Sequence, residues 1–395
     1  MLGLTPTERW QYSILDVGRG LIAAGRPNTS NDEIDLPGLG PAIPIRSARS
    51  GIIIALKALG LPPQAGIGVP LYCCPVVFKA IKAAGCNPVF IDVDPETFCL
   101  SPPDLQKRQT KLDAVIAVHM FGNLCNMPEI LSIMNGKPVI EDCAQSLGSK
   151  LGGRASGGFS DVAVFSFRSG KYLSVGEGGA LFSANPTIRS QISEMVFALA
   201  PATRAEDSKH VFITYLRSKL RSRPLWGSLG SLVWHVYNKN VGFIDRSPIT
   251  MGRIYATDLS LVRKRLGLLE SQIATQRDNA DFYDGYLKLG PSMLSQQKPQ
   301  TFYNRYMYPI IFPSMKHRDH VAEYLQKNRF SSSRPYEDVM SGAGKYYGYL
   351  GDCPTAESLL KRALVIPINW HITSKDRKRI ADCINRGWAA ARKLV

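Results

Sequence analysis

The chain has 395 residues, 45% of them hydrophobic and 20% charged, with a formal net charge of +16. This is ordinary globular composition, long enough for a large core and two subdomains, and no apolar run reaches the ~18–20 residues that cross a bilayer. The basic balance favours anionic partners such as nucleotides, phosphates or anionic lipid; no nucleic-acid-binding motif stands out, so no nucleic acid partner is expected.

The first residues, MLGLTPTERWQYSILDVGRG, lack the basic start, apolar stretch and small-residue cleavage site of a secretory leader. Eight cysteines are scattered, with only Cys73 and Cys74 adjacent and no Cys-x-x-Cys or Cys/His ligand spacing, so no metal site is expected. Reduced thiols in a cytoplasmic setting are the default expectation.

From residue 45 to 185, short β-rich runs alternate with helical patterns. GIGVP (66–70) leads into PVVFKAIKAAG (75–85), and NPVFIDVD (87–94) into SPPDLQKRQ (101–109). DAVIAVHMFG (113–122) leads into MPEILSIMNG (127–136), and KPVIEDCAQ (137–145) follows. Two more strand-like runs are DVAVFSF (161–167) and GALFSA (179–184). This alternation predicts βαβ units and a mainly parallel, doubly wound sheet, whose strands are buried on both faces and so read as continuous apolar runs such as AVIAV. Ligands of such sheets sit beyond the carboxyl ends of the strands, where EDCAQ and SFRSGK both begin. Further on, residues 258–289 show helical periodicity and FYNRYMYPIIF (302–312) reads as a strand. The expected division is a large domain over 1–250, including a basic aromatic insertion at about 200–248, and a smaller α/β domain over 251–395.

Three positions carry chemistry. Asp142 ends a strand in VIEDCAQSLG; it is either a plain turn cap or an acid held in a dry cleft against a protonated ring nitrogen. Lys171, in AVFSFRSGK, ends a second strand beside a glycine-rich turn. It is either a solvated surface charge or a desolvated, nucleophilic amine. In RSARSGIIIALKALG (46–60), small residues and Arg49 precede a helix; its start is either an ordinary N-cap or an anion site built from backbone N–H groups with Arg49 and Ser50. Together the three suit one ligand with a phosphate, a cationic ring nitrogen and an aldehyde, namely pyridoxal phosphate.

With these segments in view, the sequence resembles the DegT/StrS-type sugar aminotransferases, of fold type I. GCNPVFIDVDPETFCLSPPDLQ, AVIAVHMFGNLCNMPEI, the run from VIEDCAQ to LFSANP, RDNADFY, FYNRYMYPIIF and LVIPINWHITSKDRKRIADCI match in family order. The resemblance spans roughly 35–195 and 250–390. It implies a large domain with a mainly parallel, seven-stranded-type sheet and a smaller C-terminal α/β domain. It also implies that Asp142 pairs with the pyridine nitrogen, Gln145 sits near the ring, Ser166 binds the phosphate, and Lys171 holds the cofactor covalently and then moves the proton. Ala48, Arg49 and Ser50 fall where the family has its phosphate loop. His119 matches a family histidine and is expected in a supporting role. Where the family often stacks an aromatic ring on the cofactor, this chain has Cys74, with Tyr72 two residues earlier as a substitute. A family asparagine that reaches the neighbouring subunit's phosphate aligns near Arg253, which implies a homodimer with shared active sites.

Dehydrating family members carry histidine in place of the lysine, so Lys171 implies transfer of an amino group from glutamate to a keto sugar, usually nucleotide-linked, in glycan precursor synthesis. A sugar dehydratase on the same cofactor and a non-catalytic, regulatory or membrane-associated descendant are the competing readings. Residues 208–244 contain no acidic residue and mix Lys and Arg with Trp226, Trp234 and aliphatics. That segment reads as a structural insertion, as a peripheral contact with anionic membrane on its inner face, or as part of the sugar-nucleotide site.

Overall fold

The computed structural model describes residues 4–8, 10, 12–26, 32–222, 225, 249–295 and 297–393. Most of the basic aromatic segment, 223–224 and 226–244, therefore lies outside the described residues. Its first part belongs to a helix.

In chain order the first half comprises α1 (Ile14–Ala23), β1 (Ile34–Leu36), β2 (Gly40–Ile45), α2 (Ala48–Ala58), β3 (Gly66–Pro70), α3 (Val76–Ala83), β4 (Asn87–Ile91) and α4 (Pro102–Arg108). There follow β5 (Ala114–Val118), α5 (Met127–Met134), β6 (Val139–Asp142), β7 (Lys150–Leu151), β8 (Arg154–Ala155), β9 (Val162–Ser166), β10 (Gly179–Phe182), α6 (Pro186–Phe197) and α7 (Arg204–Leu220). The second half comprises α8 (Ala256–Leu266), α9 (Leu269–Tyr286), β11 (Thr301–Phe302), β12 (Tyr308–Ile311), α10 (Met315–Lys327), α11 (Val339–Tyr347), α12 (Pro354–Arg362), β13 (Ala363–Ile366) and α13 (Ser374–Ala391).

The main sheet has eight strands in the order β1-β2-β10-β9-β6-β5-β3-β4. Strands β9, β6, β5, β3 and β4 run parallel, because each crossover carries enough chain to return over a face of the sheet. β10, β2 and β1 add an antiparallel edge. The sheet thus exceeds the seven strands implied by the resemblance by one, the three-residue β1 that pairs with β2. Every residue of β5 is buried, as a strand covered on both faces requires. Ile52, Ile53 and Ile54 of α2 join the same core as Val115, Ile116 and Ile140.

Two expected elements divide. The helix expected over 258–289 breaks at Gly267 and Leu268 into α8 and α9, glycine being a poor helix residue. The strand expected over 302–312 splits because Asn304 turns the chain. Its Oδ1 accepts from Tyr306 N at 2.9 Å and its Nδ2 donates to the carbonyls of Gln145 and Leu147, each at 3.0 Å. Gly122, at φ +92°, is required here, since a side chain on it would fall on Asn304 Oδ1. The pieces then join different partners: β11 pairs with β7, and β12 with β13 in a two-stranded sheet. Around that small sheet Tyr283, Phe312, Val321, Leu325, Ile380 and Ile384 form a separate core. Among the described residues no helix is long and apolar enough to cross a membrane.

Candidate active site

Strand register brings the predicted residues to one edge. Gly179 of β10 pairs with Ile45 on one side and Ser166 on the other, so the α2 start, the end of β9 and the loop before β10 are neighbours. Asp142, ending β6, pairs with Val118 and Val164. Lys171 lies in the loop that leaves β9. This row is the carboxyl edge of the parallel strands, the place where such sheets hold ligands.

The loop of Lys171 is tied down on itself. Phe167 N donates to Gly178 O at 2.8 Å, Lys171 N to Arg168 O at 3.0 Å, and Val175 N to Phe167 O at 3.0 Å. Gly176 sits at φ +141° with His210 Nε2 only 2.8 Å from where a Cβ would stand, so the glycines let the chain pass under α7 rather than bind an anion themselves. Two tyrosine hydroxyls fasten the loop to the second half of the chain: Tyr172 to Asn304 O at 2.6 Å and Tyr306 to Gly170 O at 3.1 Å. The Lys171 amine rests 4.5 Å from the Tyr306 ring centroid, a cation–π contact, and makes no hydrogen bond or ion pair with the described residues. Burial, followed by the positive charge of Arg168, pulls its pKa from 10.5 down to about 8, against the opposing pull of Glu8 and Asp142. Only the neutral amine attacks an aldehyde, so the lowered value places about half of it in reactive form at pH 8. Covalent uptake of an aldehyde by the protein should therefore accelerate from pH 6 to 8 and level off above about pH 8.5. A stopped-flow pH profile that keeps rising past pH 10 would contradict this.

Asp142 is 6% exposed and has no cation within ion-pair distance among the described residues. One oxygen accepts from Ala144 N at 3.0 Å. Burial raises its pKa, only partly offset by that N–H, by Lys171 and by His119. A buried carboxylate without a partner is costly and is the environment a protonated ring nitrogen would complete. Next to it, Glu141 is the opposite case. It accepts from Gly157 N at 2.8 Å, Phe159 N at 2.9 Å, Ser160 N at 3.0 Å, Ser160 Oγ at 2.9 Å and His119 Nε2 at 2.9 Å. His119 Nδ1 accepts from Cys125 N at 3.2 Å, so its proton lies on Nε2 and points at Glu141. These partners outweigh burial and hold the Glu141 carboxyl below its ordinary range; its stabilisation is present at neutral pH and lost as pH falls through the folded value. Glu141→Ala strands a set of buried donors, and a loss of about 3–5 kcal/mol of unfolding free energy is expected in urea denaturation. His119 thus braces the strand end below the site.

The start of α2 is built differently from the expectation for Ser50. Ser47 is the N-cap, and Ser50 is fully buried in a capping box, its Oγ donating to Ser47 O at 2.8 Å and accepting from Ser47 N at 3.2 Å. The Ser50 hydroxyl is therefore committed within the helix cap. Among the described residues the Arg49 N–H, the Arg49 side chain and the Ser166 hydroxyl have no hydrogen-bond partner, and the Ala48 N–H opens the first turn of the helix beside them. Two N–H donors at a helix start, a hydroxyl and a guanidinium are groups that hold a phosphate.

Gln145 is locked in place: Phe121 N donates to its Oε1 at 3.0 Å and its Nε2 donates to Tyr336 Oη at 3.2 Å. Tyr72 is wholly buried, edge-on to Phe98, Phe121 and Tyr336 at 5.1, 6.0 and 5.7 Å, and so belongs to the aromatic packing at the strand end. Cys74 is exposed and close enough to influence Lys171 and Arg168. Arg253 serves its own chain: Nε donates to Leu199 O at 2.9 Å, Nη2 binds Phe197 O, and its carbonyl accepts from Arg46 Nε at 2.8 Å, so it closes the end of α6. Sequence reasoning passed over Arg168, Tyr306, Tyr336 and Glu8. The amine, the lone carboxylate and the donors of 48, 49 and 166 fit the aldehyde, ring nitrogen and phosphate of pyridoxal phosphate.

The pattern of the DegT/DnrJ/EryC1/StrS aminotransferase family matches residues 35–385. The chain is 36% identical to the GDP-perosamine synthase of Escherichia coli O157:H7 over 138 residues, 34% of this chain and 38% of that protein, so the match spans well under half of that relative. Over 358 residues, 89% of this chain and 85% of the relative, it is 26% identical to the UDP-N-acetyl-3-dehydro-alpha-D-glucosamine 3-aminotransferase of Acidithiobacillus ferrooxidans. Among solved structures, the pyridoxal-phosphate form of the sugar aminotransferase Spr1654 from Streptococcus pneumoniae superimposes with a TM-score of 0.76 at 18% identity, covering 98% of this chain and 99% of that one. DesI with its TDP-sugar product gives 0.76 at 19% identity, covering 100% and 96%.

Proposed function

The chain belongs to the DegT/DnrJ/EryC1/StrS aminotransferase family, and from that premise we propose that it moves an amino group from glutamate to a keto sugar carried on a nucleotide. The observation that carries this reading is the Lys171 amine, drawn down to about 8, on the same strand edge as the Asp142 carboxylate, which has no counter-ion among the described residues. Bound pyridoxal phosphate supplies an aldehyde for the amine and an electron-poor ring that accepts charge from the carbon losing its proton. Lys171 holds the cofactor, then takes the proton from the substrate carbon and delivers it to the other side of the exchange. Asp142 keeps the ring nitrogen protonated from its dry pocket. Ala48 N, Arg49 and Ser166 hold the phosphate, and Gln145 fixes the Phe121 loop and Tyr336 beside the ring. Tyr306 covers the amine and excludes water from it.

We assign cofactor binding to the large domain over 1–250, with the smaller domain over 251–395 packed against it, and place the protein in the cytoplasm as a homodimer. On α7, Phe212, Ile213 and Leu216 are exposed beside Arg217 and Lys219, which supports a peripheral contact with anionic membrane. Flotation with anionic liposomes tests that contact, and protein left at the bottom at low salt ends it. For the reaction, the cofactor-loaded protein is mixed with glutamate and assayed for 2-oxoglutarate, then with a panel of keto sugar nucleotides followed by mass spectrometry. A product one amino group richer is expected. Loss of water from the sugar without amine incorporation would make it a dehydratase instead.

A further inference from the structure

Resting on the function proposed above, the donor half of the exchange requires a seat for a carboxylate next to Lys171. The side chain of Arg168 leaves the same tight turn, in which Lys171 N donates to Arg168 O at 3.0 Å. It is exposed to the cleft, near Cys74, Tyr306 and Tyr336, and makes no hydrogen bond or ion pair with the described residues. Opposite it runs the N-terminal segment, pinned along its length: Thr5 N donates to Arg329 O at 2.9 Å, Ser331 N to Thr5 O at 2.9 Å, and Asn369 Nδ2 to Thr7 O at 3.3 Å. This delivers Glu8 to the lysine loop. Its Oε2 lies 3.4 Å from Arg221 Nη1 and 2.6 Å from where a Cβ on Gly170 would stand. Arg221 in turn lies 4.3 Å over the Trp10 ring. Thr7, Glu8, Gly170 and Tyr306 line one cavity. The chain has thus placed a carboxylate of its own among Arg168, Arg221 and the reactive amine.

We propose that Arg168, together with Arg221, is the subsite for the α-carboxylate of the amino donor, and that Glu8 fills it in the resting protein until the donor displaces it. The nitrogen and the α-carboxylate of an amino acid hang from one carbon, so a donor reacting at Lys171 sets its carboxylate within a few ångströms of the amine. The diphosphate of a sugar nucleotide hangs from the anomeric carbon and not from the carbon that reacts, so it reaches further from the amine. A guanidinium receives a carboxylate in a bidentate fork, and Glu8 already presents that group. The Glu8 side chain is 28% exposed, so its contact with Arg221 is partly screened and weak enough to be exchanged. An internal occupant lowers apparent affinity by the fraction of time that it holds the site.

Calorimetric titration of the cofactor-loaded protein with glutarate, glutamate's dicarboxylate without the amine, reads the subsite with no turnover. Arg168→Gln is expected to weaken glutarate about tenfold or more, and Arg168→Lys to recover part of that loss. Glu8→Gln is expected to tighten glutarate about threefold to tenfold. In single half-reactions Arg168→Gln should lower kcat/KM for glutamate about 100-fold and the value for the keto sugar nucleotide at least tenfold less, the shared part of the loss being that of the Arg168 charge beside the Lys171 amine. Unchanged glutarate affinity in Arg168→Gln overturns the subsite, and weakened affinity in Glu8→Gln overturns the displacement. A loss confined to the sugar-nucleotide half-reaction assigns Arg168 to the diphosphate and overturns the proposal as a whole. If glutamate exchanges no amine with the wild-type protein while the glutarate titrations behave as expected, the function falls and the carboxylate subsite stands.

Discussion

Lys171→Ala is expected to abolish turnover, lowering kcat by about 10⁴-fold or more, because in the proposed function one amine both holds the cofactor and moves the proton. Its second signature is chemical. After borohydride reduction the wild-type protein should gain the mass of one cofactor, and the variant should gain none. The fold should survive, since the Lys171 side chain makes no hydrogen bond or ion pair with the described residues and its loss relieves a half-buried charge. Far-UV dichroism and the melting temperature should therefore stay near the wild-type values. Added primary amines of small size should recover part of the proton transfer, as the cavity left by the side chain opens beside Tyr306. Persistent covalent labelling in Lys171→Ala would show that another lysine holds the cofactor.

Asp142→Asn is expected to separate catalysis from stability. The residue keeps its size, and its Oδ1 still accepts from Ala144 N, but the negative charge is gone. With no anion in the pocket, the ring nitrogen of a bound cofactor would be held protonated less well, so a fall of about 10²–10³-fold in kcat is expected, the scale seen when a fixed electrostatic partner is removed from a dry site. The cofactor-free protein should hold or gain stability. Burial raises the Asp142 pKa, so its folded value lies above the unfolded one, and the charged form costs the fold stability as pH rises through that interval. The variant is spared that cost at neutral pH. Thermal melts of the cofactor-free proteins and kcat of the loaded ones measure the two effects. A variant that loses both stability and activity would indicate that Asp142 is a structural cap, the other reading its position at a strand end allows.

What could be read from the amino-acid sequence was local. The strand ending at Asp142 and the one ending before Lys171 each announce themselves by an apolar run stopping at a charged residue, and the alternation of β3, β4, β5 and β6 with helices announces the parallel part of the sheet. The partners of these residues come from far along the chain. Tyr306 meets Gly170 across 136 positions, and Glu8 meets Arg221 across 213; no periodicity announces such pairs. The reading of 302–312 as one strand failed for the same reason, since the side chain of Asn304 bonds to carbonyls near residue 145 and bends the chain where its β-rich composition favours continuation. For Ser50 the residue was located but its hydroxyl was not, because serine at the third helical position can serve either a ligand or its own cap, and here it turns back to Ser47. Within its own chain Arg253 donates to carbonyls at the end of α6, contacts between positions more than fifty residues apart that no local pattern announces.

The fastening of the lysine loop by Tyr172 and Tyr306 bears on how the protein is made. A nascent chain that has emerged only to residue 300 already contains Lys171, Asp142, Ser166 and the start of α2. It lacks the Asn304 carbonyl that Tyr172 binds and the ring that covers the amine. Until the last quarter is synthesised and folded back, the amine lacks the ring that covers it and the bond that fastens its loop. With Lys171 assigned as proposed, cofactor capture is expected only from the completed polypeptide, so that the colour of the protein would report chains that have finished folding.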